Sequence, residues 1–523
     1  MAALSGLLVV SVAASSPSET ATAVAAGGFH SCAVTSAGGA KCWGYNQAGE
    51  LGDGTTSNRQ TPVDVSGLTS GIAAVTAGFD HTCALASVGG VKCWGDNVFG
   101  QLGDGTTTAR LTPVDVSGLT SDVAAVAAGN SHTCAVTTSG GAKCWGNNGS
   151  GQLGGCGSAA CSTPVDVTGL TSGVAAITAG FAHTCALTSG GVKCWGLNNH
   201  GQLGDGTTND SSTPVDVSGL PSGVQAIAAG DYHTCALTST GGVECWGSNQ
   251  YGQLGDGTET DRPTPVDVSG LASEVGKVAA GGFHTCALTK AGGMKCWGSN
   301  GGGELGDGTT SDSTIPVDVS GLASGVAAIA DGYFHTCATT TAGAAMCWGS
   351  NDDGQLGDGT TTNRLAPVEV IGFEGPRTLD VKKAGAGAGA VTSNPVNIDC
   401  GSTCSHDFAY GTHVTLTATP AAGSRFARWS GDCAGTGTCT LTLDANRSVT
   451  ATFALPPKCR VPKVVGLTIK IAKGRILKAR CRVGKITYKH SASKKNGRVL
   501  AQSPKPGKKL LNGAKVRLIV GKG

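Results

Sequence analysis

IAAVTAGFDHTCALASVGGVKCWGDNVFGQLGDGT, residues 72–106, followed by TPVDVSGL at 112–119, is one of seven near-copies that fill the chain from about residue 22 to residue 373. The anchoring histidines are His30, His81, His132, His183, His233, His284 and His335, spaced 51 residues apart except for one step of 50. A fixed period of this length signals a solenoid, a propeller or an array. Within a copy the apolar residues alternate with period two between Gly-rich breaks, and no stretch carries a 3.6-residue period, so the unit is all β. The pattern predicts an inner strand at 72–77, a hairpin over 81–94 and an outer strand at 113–116, four short strands in all, which is a propeller blade. Alanine and glycine dominate the inner strand, as expected where seven strands converge on an axis too crowded for bulky side chains. No PVDV precedes the first inner strand, and none of the inner strands follows the last PVEV at 367–370. This phase offset predicts that each outer strand joins the following blade, the last one supplying blade one and closing the ring.

The GxxHTCALT, CWGxNxxGQLGDGT and PVxV pattern resembles the regulator of chromosome condensation repeat, over residues 22–373. The resemblance implies a seven-bladed β-propeller. The founder's nucleotide exchange rests on individual loops that this chain gives no sign of sharing, so only the fold is carried across.

The chain holds 22 cysteines, each with a near neighbour in sequence. The repeats supply Cys32 and Cys42, Cys83 and Cys93, Cys134 and Cys144, Cys185 and Cys194, Cys235 and Cys245, Cys286 and Cys296, Cys337 and Cys347. The spacing is ten residues, or nine for Cys185 and Cys194, where the turn has lost one residue. A pair that survives a turn deletion is a cross-strand pair. Outside this set stand Cys156, Cys161, Cys400, Cys404, Cys433, Cys439, Cys459 and Cys481. Because His81 and Cys83 face the same way on one strand, with Cys93 opposite, a His-Cys-Cys metal site competes with disulfides and with free buried thiols. A structural zinc needs a fourth ligand that the repeat does not show, and disulfides are the preferred reading, with no metal and no cofactor. Such cysteine density points to an oxidising compartment.

Residues 1–21 read as a signal peptide on the apolar run 4–14, although no Lys or Arg precedes it. No run of 18 apolar residues occurs elsewhere, so no membrane span is expected.

Charge divides the chain. Residues 455–523 carry 20 Lys and Arg and no Asp or Glu, while the remainder holds 17 basic against 35 acidic residues, +20 against −18. Between the repeats and this tail, residues 377–454 alternate apolar and polar residues around FARWSGDC (426–433). That segment resembles the small β-repeat modules of bacterial surface proteins, and reads as a stalk whose Cys400, Cys404, Cys433 and Cys439 favour local disulfides over zinc. The tail opens CRVPKVVGLT (459–468), passes a basic segment expected to be helical as far as Ala479, and closes with SPKPGKKLLNGAKVRLIVGKG (503–523). It resembles the PASTA domain, a small α+β fold of a sheet with one packed helix, which implies binding of peptidoglycan fragments or association with wall enzymes. Independently, unopposed positive charge of this density attracts an anionic wall polymer, and salt should weaken the attachment. Nucleic acid is not the expected purpose, since Tyr488 is the tail's one aromatic residue.

No GxSxG, HExxH or P-loop occurs, and no dinucleotide glycine pattern at a strand-to-helix turn, so no catalytic residue is assigned and the protein is read as a non-enzyme. Seven histidines sharing one environment are expected to bond the adjacent backbone in each blade, and the repeated Trp to pack it. The LGDGT aspartates suit turns, Asp capping amides and Gly taking positive φ.

Positions that vary between fixed flanks are free to meet a partner. One window precedes the histidine: Phe29, Phe79 and Asp80, Asn130 and Ser131, Phe181, Asp231 and Tyr232, Phe283, Tyr333 and Phe334. The other lies between WGxN and GQL, and includes Phe99, His200, Tyr251, Asp352 and Asp353. These aromatic and acidic residues are expected to ring one or both ends of the propeller as a binding face for a protein partner. Cys156 and Cys161 mark a stapled loop in blade three. The resulting expectation is a monomeric, secreted or cell-wall-associated bacterial binding protein, the propeller meeting an unknown protein and the basic tail meeting the wall. Some bacterial propellers of the same repeat family are secreted inhibitors of β-lactamases, so an inhibitor role refines that expectation. An enzyme acting on wall polysaccharide in the propeller cleft and a purely structural surface protein are the alternatives.

Overall fold

The computed structural model describes residues 19–401 and 403–523, so the expected signal peptide at 1–21 lies outside the described residues apart from its last three. The chain forms two compact units, one ending at Pro376 and the other spanning Arg377–Gly523.

The first unit consists of seven four-stranded antiparallel sheets, each drawn from one contiguous stretch of chain. In blade two the strands are Ile72–Ala77, His81–Ala86, Val91–Gly95 and Arg110–Asp115, in that order from the axis outward. The expected inner strand and hairpin are present. The outer strand begins three residues earlier than expected, and it belongs to its own blade: Lys92 faces Asp115, Cys93 faces Val114 and Gly95 faces Arg110. The same register places Arg364–Glu369 on blade seven, so the carboxyl-terminal strand does not complete blade one. The cause lies in the connecting loop. Asn97 Nδ2 donates to the Thr106 and Thr108 carbonyls at 3.2 and 3.0 Å, and Asp104 accepts from Arg110, which turns the chain back beside the strand it has just left. The Asp104 carboxylate also accepts from the Thr106 amide at 2.9 Å, the expected turn cap.

The ring nevertheless closes, through side chains. Each blade's core takes in the Trp of the next: Cys32, Val34, Leu51 and Val65 of the first blade enclose Trp94 of the second. The last junction repeats this, with Cys337, Leu356, Val370 and Phe373 around Trp43 of blade one. Trp94 donates to the Glu50 carbonyl and Trp43 to the Gln355 carbonyl, both at 2.8 Å. On the inner rim the Tyr333 amide donates to the Gly27 carbonyl at 3.0 Å, joining blade seven to blade one. Two glycines show why the repeat is so Gly-rich. Gly103 holds φ +70° against the next blade's Trp145, where a Cβ would come within 2.7 Å of Nε1. A Cβ on Gly78 would collide with the His81 ring and the Gly129 carbonyl.

In the second unit, Arg377–Ala384, Ser405–Phe408, Arg425–Gly431 and Arg447–Ala454 form one sheet, and Gly389–Asn394, His413–Pro420 and Cys439–Thr442 a second. Leu379, Val391, Leu416, Trp429 and Phe453 fill the core they share. From 455 onward, Arg482–His490, Lys515–Lys522 and Val499–Ser503 make a three-stranded sheet, and the expected helix spans Ile469–Lys478 with Ala472 and Ile476 buried. Among the described residues no helix is long and apolar enough to cross a membrane.

All 22 cysteines are paired, every one with its near neighbour. In the blades the partners face each other across the hairpin, Cys83 against Cys93 with Cα atoms 4.1 Å apart. Their sulfurs are thereby unavailable to the His-Cys-Cys metal site. Cys156–Cys161 staples the blade-three loop, Cys400–Cys404 and Cys433–Cys439 are local, and Cys459 reaches Cys481. Eleven disulfides place the protein in an oxidising environment.

Candidate functional site

The seven histidines bond across blades, which corrects the expected bond to adjacent backbone. His81 Nε2 meets Thr133 Oγ1 of the next blade at 2.9 Å, and the relay runs round the ring until His335 Nε2 meets Ser31 Oγ at 2.8 Å. The hydroxyl of Thr82 already donates to the Glu50 carbonyl at 2.8 Å, so it can only accept from His30, which fixes the proton on Nε2. Burial holds these imidazoles far below their ordinary value, at about 3 to 4, and they stay neutral. They are structural links.

Both variable windows lie at the end of the blades where these histidines sit, opposite the hairpin turns. Tyr251 of the second window meets Phe283 of the first at 5.4 Å, and His200 meets Tyr232 at 5.7 Å. The aromatic rings form a chain round the axis: Phe181 stacks on Tyr232 at 5.1 Å, Tyr232 on Phe283 at 6.2 Å, and Phe283 meets Tyr333 edge-on at 5.4 Å. Tyr333 reaches Phe79 at 5.2 Å and Phe334 at 4.3 Å, and Phe79 meets Phe29 at 5.3 Å. Burial, with the Asp231 carboxylate of blade five beside it, holds the Tyr333 hydroxyl above its ordinary value. Residues of blades one, two, five, six and seven therefore converge on Tyr333. Beside this plug lies an axial cavity of about 80 Å³, lined by the Ala-Gly ends of six inner strands and by Asp331 and Gly332 of the seventh.

Around the plug the rim is apolar and acidic. Phe99 and Tyr251 are 40% and 37% exposed. Asp353 accepts from Asn58 at 2.8 Å, His200 Nδ1 lies 2.8 Å from Asp261, and Asp352 is exposed. Burial raises the Asp80 carboxyl to about 6, with Asp96 adding to it, and the Asp231 carboxyl to about 7. Neither window contains a Lys or Arg in any blade.

Three contributors escaped the sequence reading. Tyr45 packs 6.2 Å from Phe29, and its position in WGxN varies between blades, which is the signal that could have found it. Glu50 stands where most blades carry the Gln of GQL. Burial, with Asp80 and Asp96 nearby, lifts its carboxyl to about 7. Asp331 replaces the Ala that ends the other six inner strands. In the tail, Lys485, Thr487, Gln502, Arg517, Leu518 and Ile519 line a groove of about 270 Å³ that combines two cations with an apolar floor.

The RCC1-like domain family matches residues 8–320 and 162–422, and the PASTA domain family matches residues 460–522. The chain is 32% identical to the ultraviolet-B receptor UVR8 of Arabidopsis thaliana over 360 residues, 68% of this chain and 70% of that one. It is 31% identical over 354 residues to the human E3 ubiquitin-protein ligase HERC2, covering 66% of this chain and only 6% of that protein. Human WBSCR16 superposes with a TM-score of 0.57 at 26% identity, covering 63% of this chain and 93% of that one. Prp20p from Saccharomyces cerevisiae, a protein described with its binding to Gsp1p and histones, superposes with a TM-score of 0.53 at 25% identity, covering 60% and 80%. With its seven-bladed repeat architecture, the chain belongs to the RCC1-like domain family and carries a PASTA domain over residues 460–522.

Proposed function

We propose that this is a secreted or cell-wall-associated bacterial binding protein, in which the propeller's aromatic, acidic end holds a protein partner and the basic tail holds peptidoglycan or an anionic wall polymer. The propeller spans 22–373, a stalk 377–454 and the anchoring domain 455–523. One observation carries the reading: rings from both windows gather at a single end around Tyr333, with carboxylates beside them and no cation in either window. Half-exposed aromatic clusters of this kind anchor protein interfaces. The charge at that end favours a partner presenting basic residues. The Prp20p comparison supports protein binding as the use of the fold, and the +20 charge of the tail supports a polyanion at the other end of the chain.

The test uses the full chain in two assays. Incubated with purified sacculi, it should be retained, and Lys485→Glu with Arg517→Glu should release it. Incubated with extracellular protein extract, it should retain a partner that Tyr251→Ala with Phe99→Ala loses while sacculus binding persists. Sacculus retention that survives the tail changes but falls with the rim changes would reverse the assignment, and release of sugars from the sacculi would favour an enzyme.

A further inference from the structure

Asp331 is the one acidic residue at a position that is Ala26, Ala77, Ala128, Ala179, Ala229 or Ala280 in the other blades. Its side chain is wholly buried between blades six and seven, and neither carboxylate oxygen completes a hydrogen bond of standard geometry, the Cys286 backbone amide being the polar group that acts on it. It points at the preceding blade: Oδ1 is 4.0 Å from His284 Nε2, and ligand atoms of His284, Cys286 and Asp331 all lie within 4.8 Å of one another. The sulfur of Cys286 is bonded to that of Cys296. Three donors of the kinds zinc prefers, a sulfur, an imidazole and a carboxylate, thus meet at one blade junction, and the Cys296 sulfur, bonded to that of Cys286, is the fourth candidate beside them. At every other junction an alanine leaves the set one short.

We propose that the junction of blades six and seven is a disulfide-masked metal site, in which reduction of Cys286–Cys296 releases a Cys-Cys-His-Asp set for zinc or a similar divalent cation. This reading does not depend on what the propeller's end binds. The reductant is a dithiol. It passes two electrons to the sulfur–sulfur bond, becomes a disulfide itself and leaves Cys286 and Cys296 as thiols. Zinc then displaces both thiol protons and the carboxyl proton of Asp331, three protons in all, and binds the resulting thiolates and carboxylate. His284 shifts its proton from Nε2 to Nδ1, giving up its 2.9 Å bond to Thr336 and offering the Nε2 lone pair. Tetrahedral zinc, with ligands at about 2.0–2.3 Å, needs donors about 3.3–3.8 Å apart, so His284, Cys286 and Asp331 contract by roughly an ångström, and the freed Cys296 thiol must rotate inward to complete the set. While the disulfide stands, the sulfurs cannot act as thiolates and the site is closed.

The test is a cobalt(II) titration of the full chain, oxidised and after anaerobic reduction with dithiothreitol and its removal, read by the visible absorption of tetrahedral thiolate-bound cobalt. The reduced protein is expected to bind one equivalent more than reduced Asp331→Ala, which restores the alanine of the other blades and so folds. The oxidised protein is expected to show no thiolate band. Ala280→Asp, which completes the set with His233, Cys235 and Cys245, is expected to add an equivalent. Equal cobalt uptake by the reduced wild type and Asp331→Ala, or a thiolate band in the oxidised protein, overturns the proposal.

Discussion

Replacing Asp331 with alanine should stabilise the oxidised protein, by an amount that depends on pH. Burial raises the carboxyl from 3.8 to about 8, and the Cys286 backbone amide offsets this only in part. The unfolded chain ionises above pH 4 while the folded chain resists until pH 8, so the destabilisation is absent below pH 4, grows through the interval and levels off above it. At about 1.4 kcal/mol per pH unit, the ceiling at pH 7 is roughly 4 kcal/mol. The lost side-chain volume leaves a small cavity that costs on the order of 1 kcal/mol. The electrostatic gain therefore wins above about pH 5, with a net stabilisation of about 1–3 kcal/mol at pH 7 to 8. At pH 4 the cavity alone remains and the variant is equal or slightly weaker. Guanidinium unfolding of both proteins at pH 4, 6 and 8 measures this directly. A variant less stable than wild type at pH 8 would refute the reasoning, because it would mean that Asp331 is ionised in the fold and paired with His284.

Thr133→Val strands the His81 Nε2 proton, while the Gln101 carbonyl keeps its bond from Trp145, and should cost about 1–3 kcal/mol in denaturant unfolding, whereas Thr133→Ser should be near neutral, as Ser31 shows at the closing junction. Gly103→Ala must hold positive φ and push against Trp145, and should cost at least about 2 kcal/mol by the same assay. Binding of an oligoarginine peptide to the full chain should strengthen from pH 5 to pH 8, as Asp80 and Glu50, held near 6 and 7, gain charge; titration calorimetry that finds no pH dependence contradicts the acidic reading of that end. Sacculus retention should fall at least tenfold between 50 and 500 mM salt, by pelleting assay, if several phosphates or carboxylates are engaged.

The period of the repeat made the blade legible, because GxxHTC and CWGxN sit at the same offsets seven times and alternate with a strand's period. Cysteine pairing was legible for the same reason, the nine-residue spacing of Cys185 and Cys194 showing that the pair spans a turn. Strand ownership was not legible. The phase of the copies allows either assignment of PVDV, and the choice is made by Asp104, Asn97 and Arg110, whose joint clamp exists only in three dimensions. The histidine's partner was hidden likewise, since His81 and Thr133 lie 52 residues apart and only the closed ring brings them together. Window residues were found by their variability, yet their convergence on Tyr333 depends on ring lengths and rotamers that the sequence does not display. Asp331 was passed over because it sits inside a scaffold strand rather than in a variable loop.

The proposed partner-binding face is one end of the propeller. Its most direct test places a photo-crosslinking residue in the full chain at Tyr251, at the aromatic end, or at Val88, 82% exposed at the opposite end, and irradiates each with extracellular protein extract. A discrete protein adduct from position 251 and none from position 88 is the predicted result. Adducts of equal yield from both positions, or from position 88 alone, would contradict it.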